Sequence, residues 1–118
     1  MTRKLSHMAV AMILLWGGSA WAHARLTLAV PAADSVIAAG PAMVSLTFNE
    51  AVMVIACKVI DAAGQEVGGP AKAEGKTVQV QLKAGLGPGH YTVNYRVAGD
   101  DGHAMSGALS FTVQATKP

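Results

Sequence analysis

The feature that most constrains the fold of this chain is an alternation of apolar and polar residues with a period of two. It recurs in four segments, and a helix would instead need apolar residues at a period near 3.6. Alternation of this kind gives a strand one buried face and one solvated face, which is typical of antiparallel sheets. The apolar members of the four runs are Val44, Leu46 and Phe48; Val78, Val80 and Leu82; Tyr91, Val93, Tyr95 and Val97; and Leu109, Phe111 and Val113.

Turn-forming residues separate these runs. They lie at Pro31, Gly40-Pro41, Asp61-Ala62-Ala63-Gly64, Gly68-Gly69-Pro70 and Gly85-Leu86-Gly87-Pro88-Gly89. Val52 to Ile60 predicts a further strand, although its nearly continuous apolar character also suits a short helix. About seven short strands predict an all-β fold, a small antiparallel β-sandwich of the immunoglobulin type. The step into Tyr91 also resembles the start of a tyrosine-corner strand.

The first 22 residues have the layout of a secretory signal peptide. Two basic residues precede an apolar run from Met8 to Trp16, and Ala20-Trp21-Ala22 places small residues at the −3 and −1 positions of a cleavage site. An uncleaved membrane anchor is the alternative, but the run is short for a bilayer span. We therefore expect a signal peptide at 1–22 and one domain at 23–118, exported to the periplasm without stable membrane insertion.

Composition excludes several other classes of protein. The chain has 118 residues, of which 52% are hydrophobic and 14% charged, so it is too apolar for a disordered protein. The net charge of +2 is small and the basic residues are scattered, so we expect no nucleic-acid partner. The single cysteine, Cys57, excludes an internal disulfide framework and a CxxC zinc site.

Cleavage after Ala22 would change the chemistry of His23. As the first residue of the mature protein, His23 would carry a free α-amine beside its imidazole, and the two nitrogens could chelate one metal ion. With a third nitrogen from another histidine, such a set suits the tetragonal preference of Cu(II). The alternative is that His23 lies at the cleavage site by chance.

A second candidate feature is the sequence Asp100-Asp101-Gly102-His103 between two predicted strands. An Asp-x-His triplet on an extended backbone places both side chains on one side, within reach of one ion, and Gly102 permits a tight approach. Asp-Gly is also a common hairpin turn, so a solvated turn is the competing interpretation.

Taken together, the two features and the segments around them resemble the CopC family of periplasmic copper-binding proteins. The resemblance runs in order over nearly the whole mature chain. The segments that carry it are His23-Ala24-Arg25-Leu26, Pro31-Ala32-Ala33-Asp34-Ser35, Leu46-Thr47-Phe48-Asn49-Glu50-Ala51-Val52, Gly89-His90-Tyr91-Thr92-Val93, Asp101-Gly102-His103-Ala104-Met105-Ser106-Gly107 and Phe111-Thr112-Val113.

The resemblance implies a seven-stranded β-sandwich that binds one Cu(II) per chain without catalysing a reaction. By position, the implied ligands are the amine and imidazole of His23, with Asp101 and His103. Glu50 matches an acidic residue of the family and either lies near the metal or orients the loop. The implied function is sequestration or delivery of copper in copper homeostasis and resistance, with an inner-membrane CopD-like transporter as a possible partner.

The sequence also departs from the family pattern. Ala104 stands where many members have proline, which should loosen the loop slightly. The stretch 61–75 contains no Met or His, so we predict that the Met-rich Cu(I) site of some members is absent, because thioether ligands select Cu(I). We expect the methionines of the mature chain to fill the core, with Met105 facing the metal as an alternative. Cys57 should be a buried, inert thiol, and His90 should lie too far from the loop to be a ligand.

A different class of protein also uses an N-terminal histidine with a second histidine. This copper brace belongs to lytic polysaccharide monooxygenases, which would make the protein an oxidative enzyme. The short loops, the few aromatic residues and the carboxylate of Asp101 argue against it, because oxygen activation needs an open coordination position. A metal-free adhesive sandwich is the third interpretation.

Overall fold

The computed structural model describes residues 24–115, which form strands and loops without a helix. The alternating runs all become strands, as the sequence predicts. The strands are β1 (Leu26–Val30), β2 (Ser35–Ile37), β3 (Met43–Phe48), β4 (Val52–Ile60), β5 (Gly68–Glu74), β6 (Thr77–Leu82), β7 (Gly89–Gly99) and β8 (Ala104–Val113).

The strands form two four-stranded sheets that pack as a sandwich. One sheet has the order β1-β3-β6-β5 and the other β2-β8-β7-β4. The apolar members of the alternating runs face each other between the sheets, which confirms the all-β prediction. The largest fully buried side chains of the core are Phe48, Phe111, Leu46, Val44, Val59, Val78, Val80, Val93 and Val97.

The start of β7 is anchored by a tyrosine corner, as the sequence suggests. The hydroxyl of Tyr91 donates a hydrogen bond of 2.7 Å to the carbonyl of Gly87. The Tyr91 ring stacks on Phe111 of β8, with centroids 5.4 Å apart. Further along β7, Tyr95 covers Gly107, where a Cβ would collide with the phenol ring. These contacts fix the β7–β8 hairpin, which carries the candidate metal loop at its tip.

Two strands differ from the sequence prediction, so the described residues hold eight strands rather than about seven. The three residues of β2 are too few to show a period, and β2 pairs parallel to β8. Gly68-Gly69-Pro70, predicted as a turn, belongs to β5 instead. β5 is the edge of its sheet and its register shifts between Gly68 and Ala71. Pro70 is tolerated there, since a bulged edge strand need not donate every backbone N–H.

The structure resolves the ambiguity of the apolar run from Val52 to Ile60, which is a strand. Its register against β7 shifts between Val54 and Ala56, so the alternation of apolar and polar positions is interrupted there. This bulge explains why the run has no clear period. The expectation that Met53 fills the core is wrong, because its side chain points outward and is 72% exposed. Met105 does pack against the core.

Cys57 is buried, as predicted. Loss of solvent around the thiol raises its pKa from 9.0 to about 11, so the reactive thiolate is scarce at neutral pH. Burial also raises the pKa of the Tyr95 phenol, and the charge of a Cys57 thiolate would raise it further. Within residues 24–115, no helix has the length and apolar character needed to cross a bilayer.

Candidate metal site

The candidate metal site lies at the tip of the β7–β8 hairpin. The N–H of Gly99, at the end of β7, donates to the carbonyl of His103 at 3.2 Å. The N–H of Gly102 donates back to the carbonyl of Gly99 at 3.0 Å, and Gly102 has a φ of 80°. A residue with a side chain rarely adopts that φ, so glycine is the natural residue at this point of the turn. The turn leaves Asp101 and His103 on either side of Gly102.

The structure brings the side chains of Asp101 and His103 together. Oδ1 of Asp101 accepts a hydrogen bond of 3.0 Å from the backbone N–H of His103, and Oδ2 lies 3.2 Å from Nδ1 of the imidazole. The imidazole is 69% exposed, so an ion can reach it from solvent. Two donors at right angles, each about 2 Å from one metal ion, are about 2.8 Å apart. The pair is therefore close to the spacing of neighbouring ligands on a single ion.

Glu50 holds the turn from the side of the β3–β4 connection. Its Oε1 accepts a hydrogen bond of 3.2 Å from the backbone N–H of Asp100. The same carboxylate lies against Gly99, at the place that a Cβ of residue 99 would occupy. Of the two roles left open by the sequence, this geometry supports the one in which Glu50 orients the loop.

The first described residues of the chain reach the same end of the sandwich. The backbone N–H of Arg25 donates to Oδ1 of Asn49 at 2.7 Å, and the N–H of Asn49 donates to the carbonyl of Arg25 at 2.9 Å. This two-bond clamp places Ala24 beside Glu50. Ala24 is buried, and its Cβ lies 3.4 Å from the position of a Cβ on Gly99. The chain therefore enters the fold next to the hairpin tip.

The other two histidines of residues 23–118 are His23 and His90. His23 lies outside the described residues. His90 lies near the start of β7, at the opposite end of the strand from the hairpin tip, and its Nδ1 is 3.3 Å from Oγ1 of Thr112. Within residues 24–115, no group of three or more His, Cys, Asp or Glu side chains is arranged to hold a metal ion.

Sequence reasoning missed two residues that build this site. Asn49 clamps the start of the chain, and Gly99 leaves room for the Glu50 carboxylate. Asn49 directly precedes Glu50, and Gly99 directly precedes Asp100. Being next to a candidate site residue was the one signal that could have pointed to them. Their roles depend on hydrogen bonds between segments distant in sequence, which no local pattern encodes.

Comparison with known proteins agrees with this architecture. The family model of the CopC domain matches residues 26–114. Protein YobA of Escherichia coli K12 is 33% identical over 108 residues, covering 81% of this chain and 82% of that protein. The crystal structure of CopC from Methylosinus trichosporium OB3b has a TM-score of 0.73 and 30% identity, covering 81% of this chain and 98% of that one. PcoC, a methionine-rich copper resistance protein from Escherichia coli, has a TM-score of 0.65 and 29% identity, covering 79% of this chain and 100% of that one.

The fold and the hairpin tip define a small all-β sandwich protein with a histidine–carboxylate loop at one end. The family match covers most of the chain and includes that loop. The chain belongs to the CopC family. Membership supports a role in handling copper.

Proposed function

We propose that the mature protein binds one Cu(II) ion at the hairpin tip and serves to sequester or deliver copper. The ligands are the α-amine and imidazole of His23, the carboxylate of Asp101 and the imidazole of His103. The observation that carries the proposal is the Asp101–His103 pair, whose donor atoms are 3.2 Å apart on a solvent-accessible turn. An imidazole and a carboxylate beside a chelating amine form a nitrogen-rich set of the kind that Cu(II) prefers.

The entry point of the chain supports the inclusion of His23. Ala24, the next residue, lies against Gly99, and Gly99 is hydrogen-bonded to the backbone of His103. Consecutive Cα atoms are about 3.8 Å apart, so His23 is one short step from a residue that touches the hairpin. Burial of Ala24 and the Arg25–Asn49 clamp hold Ala24 in place beside the hairpin. A metal site shared by the N-terminus and the loop needs little further ordering of the chain.

The biological setting of the proposal follows from the first residues and from the family. We propose that residues 1–22 are a signal peptide, that cleavage exposes the amine of His23 and that the protein works in the periplasm. Its task is copper homeostasis and resistance, without catalysis. A CopD-like membrane transporter is the proposed partner in delivery. Glu50 acts on the loop through Asp100 rather than on the copper itself.

A competition titration with a copper chelator tests the ligand set on the mature protein. His103→Ala should weaken Cu(II) binding by at least a hundredfold, because it removes the only nitrogen supplied by the hairpin. Asp101→Ala should weaken it less, since water can take the position of the carboxylate. His90→Ala is the matched control and should leave the affinity unchanged. Equal losses for His103→Ala and His90→Ala would contradict the proposed site.

The second candidate function is oxidative catalysis of the lytic polysaccharide monooxygenase kind, which rests on the same pair of histidines. The rate of hydrogen peroxide formation distinguishes the two functions. It is measured on copper-loaded protein supplied with a reductant and oxygen. We expect a rate close to that of the Asp101→Ala and His103→Ala variants. A rate well above both, with oxidised polysaccharide as product, would favour the enzyme.

A further inference from the structure

Strand β8 is paired on one side along its whole length but on the other side only near its end. β7 pairs with β8 continuously from Ala104 to Val113. β2 pairs with the opposite side only at 111–113, and the N–H of Asp34 adds one bond to the carbonyl of Ser110. No strand of the described chain pairs with this side of β8 between Ala104 and Leu109. We call this segment the free edge of β8.

The hydrogen-bonding pattern shows which backbone groups the free edge presents. The Gly99–His103 bond shows that His103 and every second residue after it bond to β7. The residues between them point their N–H and carbonyl groups the other way, as Ser110 does towards Asp34. Ala104, Ser106 and Ala108 therefore present their N–H and carbonyl groups to the free edge, and the first of them follows His103 directly.

The free edge lacks the protection that the edge strands β1, β4 and β5 carry. Edge strands usually avoid pairing with other chains through bulges, prolines or charged residues. β1, β4 and β5 each contain a register shift, β4 carries Lys58, and β5 carries Pro70 and Lys72. The free edge has the sequence Ala-Met-Ser-Gly-Ala-Leu and a continuous register with β7. It is thus an open template for one more strand.

An apolar groove lies beside the end of the free edge, at Ala108 and Leu109. It has a volume of about 410 Å³ and lies between β1 and β8, where Leu26, Leu28 and Ala29 line its other side. Leu28 is 57% exposed. A strand added to β8 would direct every second side chain inward, because side chains alternate across a strand, and those beside Ala108 and Leu109 would enter this groove. Apolar side chains fit these positions.

The charges around the free edge indicate what the outward side chains of an added strand should be. Arg96 of β7 lies on the outer face opposite Ser106, and its guanidinium donates to Ser106 Oγ at 3.0 Å. The guanidinium therefore lies over the outer face of β8 beside Ser106. An acidic side chain on the outer face of the added strand, beside Ser106, would meet this cation. The groove favours apolar residues at alternate positions, and Arg96 favours one acidic residue between them.

A second copy of this chain fits the free edge poorly. Two copies paired antiparallel about Ser106 would place Gly102 of one copy opposite Ser110 of the other, where Asp34 already occupies the edge. The turn of one copy would run into Asp34 of the second copy. Asp101 would then lie close to that carboxylate, and like charges repel at short range.

We propose that the free edge of β8 binds an extended segment of a different protein by strand addition, with apolar residues at alternate positions of that segment and an acidic residue beside Ser106. Main-chain hydrogen bonds supply affinity and the groove supplies specificity in such binding. Because the edge begins beside His103, the added strand would end at the copper loop. Its role in copper exchange rests on the proposed function, whereas the strand pairing itself does not.

The test selects peptides from a phage-displayed library of random twelve-residue sequences on the mature protein. Ala108→Pro removes an N–H that faces the free edge and leaves the bonds to β7 intact. Ala108→Val keeps that N–H and is the matched control. We expect selected peptides with apolar residues at alternate positions and an acidic residue between two of them, which bind wild type and Ala108→Val equally and Ala108→Pro at least tenfold more weakly. Selection of no peptide, or equal binding to Ala108→Pro, would overturn the proposal.

Three further measurements keep the outcome interpretable. Nuclear magnetic resonance of the wild-type protein should show the amides of Ala104, Ser106 and Ala108 shifted and protected from exchange when the peptide binds; shifts confined to another surface would overturn the proposal. Sedimentation should show a monomer, and a dimer dispersed by the peptide would make a second copy the occupant instead. Copper titration of the same variants should be unchanged. If the wild-type protein bound the peptide but no copper, that result would count against the proposed function alone.

Discussion

Adding a single methyl group at Gly99 should disturb the turn that carries Asp101 and His103, because it displaces Glu50. A Cβ at this position would occupy the place of the Glu50 carboxylate, while the Cβ of Ala24 would be at an ordinary contact distance of 3.4 Å. Gly99 does not have a positive φ, so alanine meets no backbone strain there. In Gly99→Ala, Glu50 must move away and its hydrogen bond to Asp100 is lost. We expect the free energy of unfolding to fall by about 1–2 kcal/mol.

The effect on copper follows from the same displacement. The Asp100 N–H bond to Glu50 holds the turn that carries Asp101 and His103, so its loss should lower Cu(II) affinity roughly tenfold, or about 1.4 kcal/mol. Glu50→Ala should have a similar effect, because it removes the same bond.

A double-mutant cycle isolates this mechanism. In Glu50→Ala the carboxylate that obstructs the new methyl group is gone, so Gly99→Ala should then cost little further stability or affinity. Urea unfolding and chelator competition measure both quantities for the four proteins. The entropic effect of replacing glycine is the same in both backgrounds and cancels. If the losses of stability and affinity were additive in the double variant, Gly99→Ala would not act by displacing Glu50.

Three further predictions concern the sandwich itself. Tyr91→Phe should lower the free energy of unfolding by about 1 kcal/mol, because the bond to Gly87 is lost, and urea unfolding measures it. Phe111→Ala should cost about 3–5 kcal/mol in the same assay, since its side chain is fully buried. The pKa of Cys57 is raised in the folded protein, so folding retains a proton that the unfolded chain releases. The contribution of Cys57 to stability should therefore be constant below about pH 9 and be lost towards pH 11. Cys57→Ala should reduce this loss of stability in a pH series of unfolding curves.

The alternation of apolar and polar residues correctly predicted those strands that have one buried face and one solvated face. Val44 and Phe48 in β3 and Val93 in β7 are buried as the alternation requires. The same reasoning failed for β4, because its bulge between Val54 and Ala56 interrupts the period. The prediction for Met53 was wrong for a different reason, since hydrophobicity alone does not tell which face of an edge strand a residue occupies.

The candidate site was predictable to the extent that its residues are near in sequence. The Asp101–His103 contact depends on a short turn around Gly102, which a local pattern can indicate. The clamp between Arg25 and Asn49 joins segments that only the fold brings together. No periodicity in either segment encodes that contact, so it could be found only in the structure.

We propose that the N-terminus of the mature protein and the hairpin tip hold the same Cu(II) ion. A chelator competition titration compares two matched proteins, one that begins at His23 and one that carries an additional glycine before it. The added residue leaves every side chain in place but moves the α-amine away from the His23 imidazole, which breaks the chelate. We predict one tightly bound Cu(II) in the first protein and an affinity at least a hundredfold lower in the second. Equal affinities would contradict the claim.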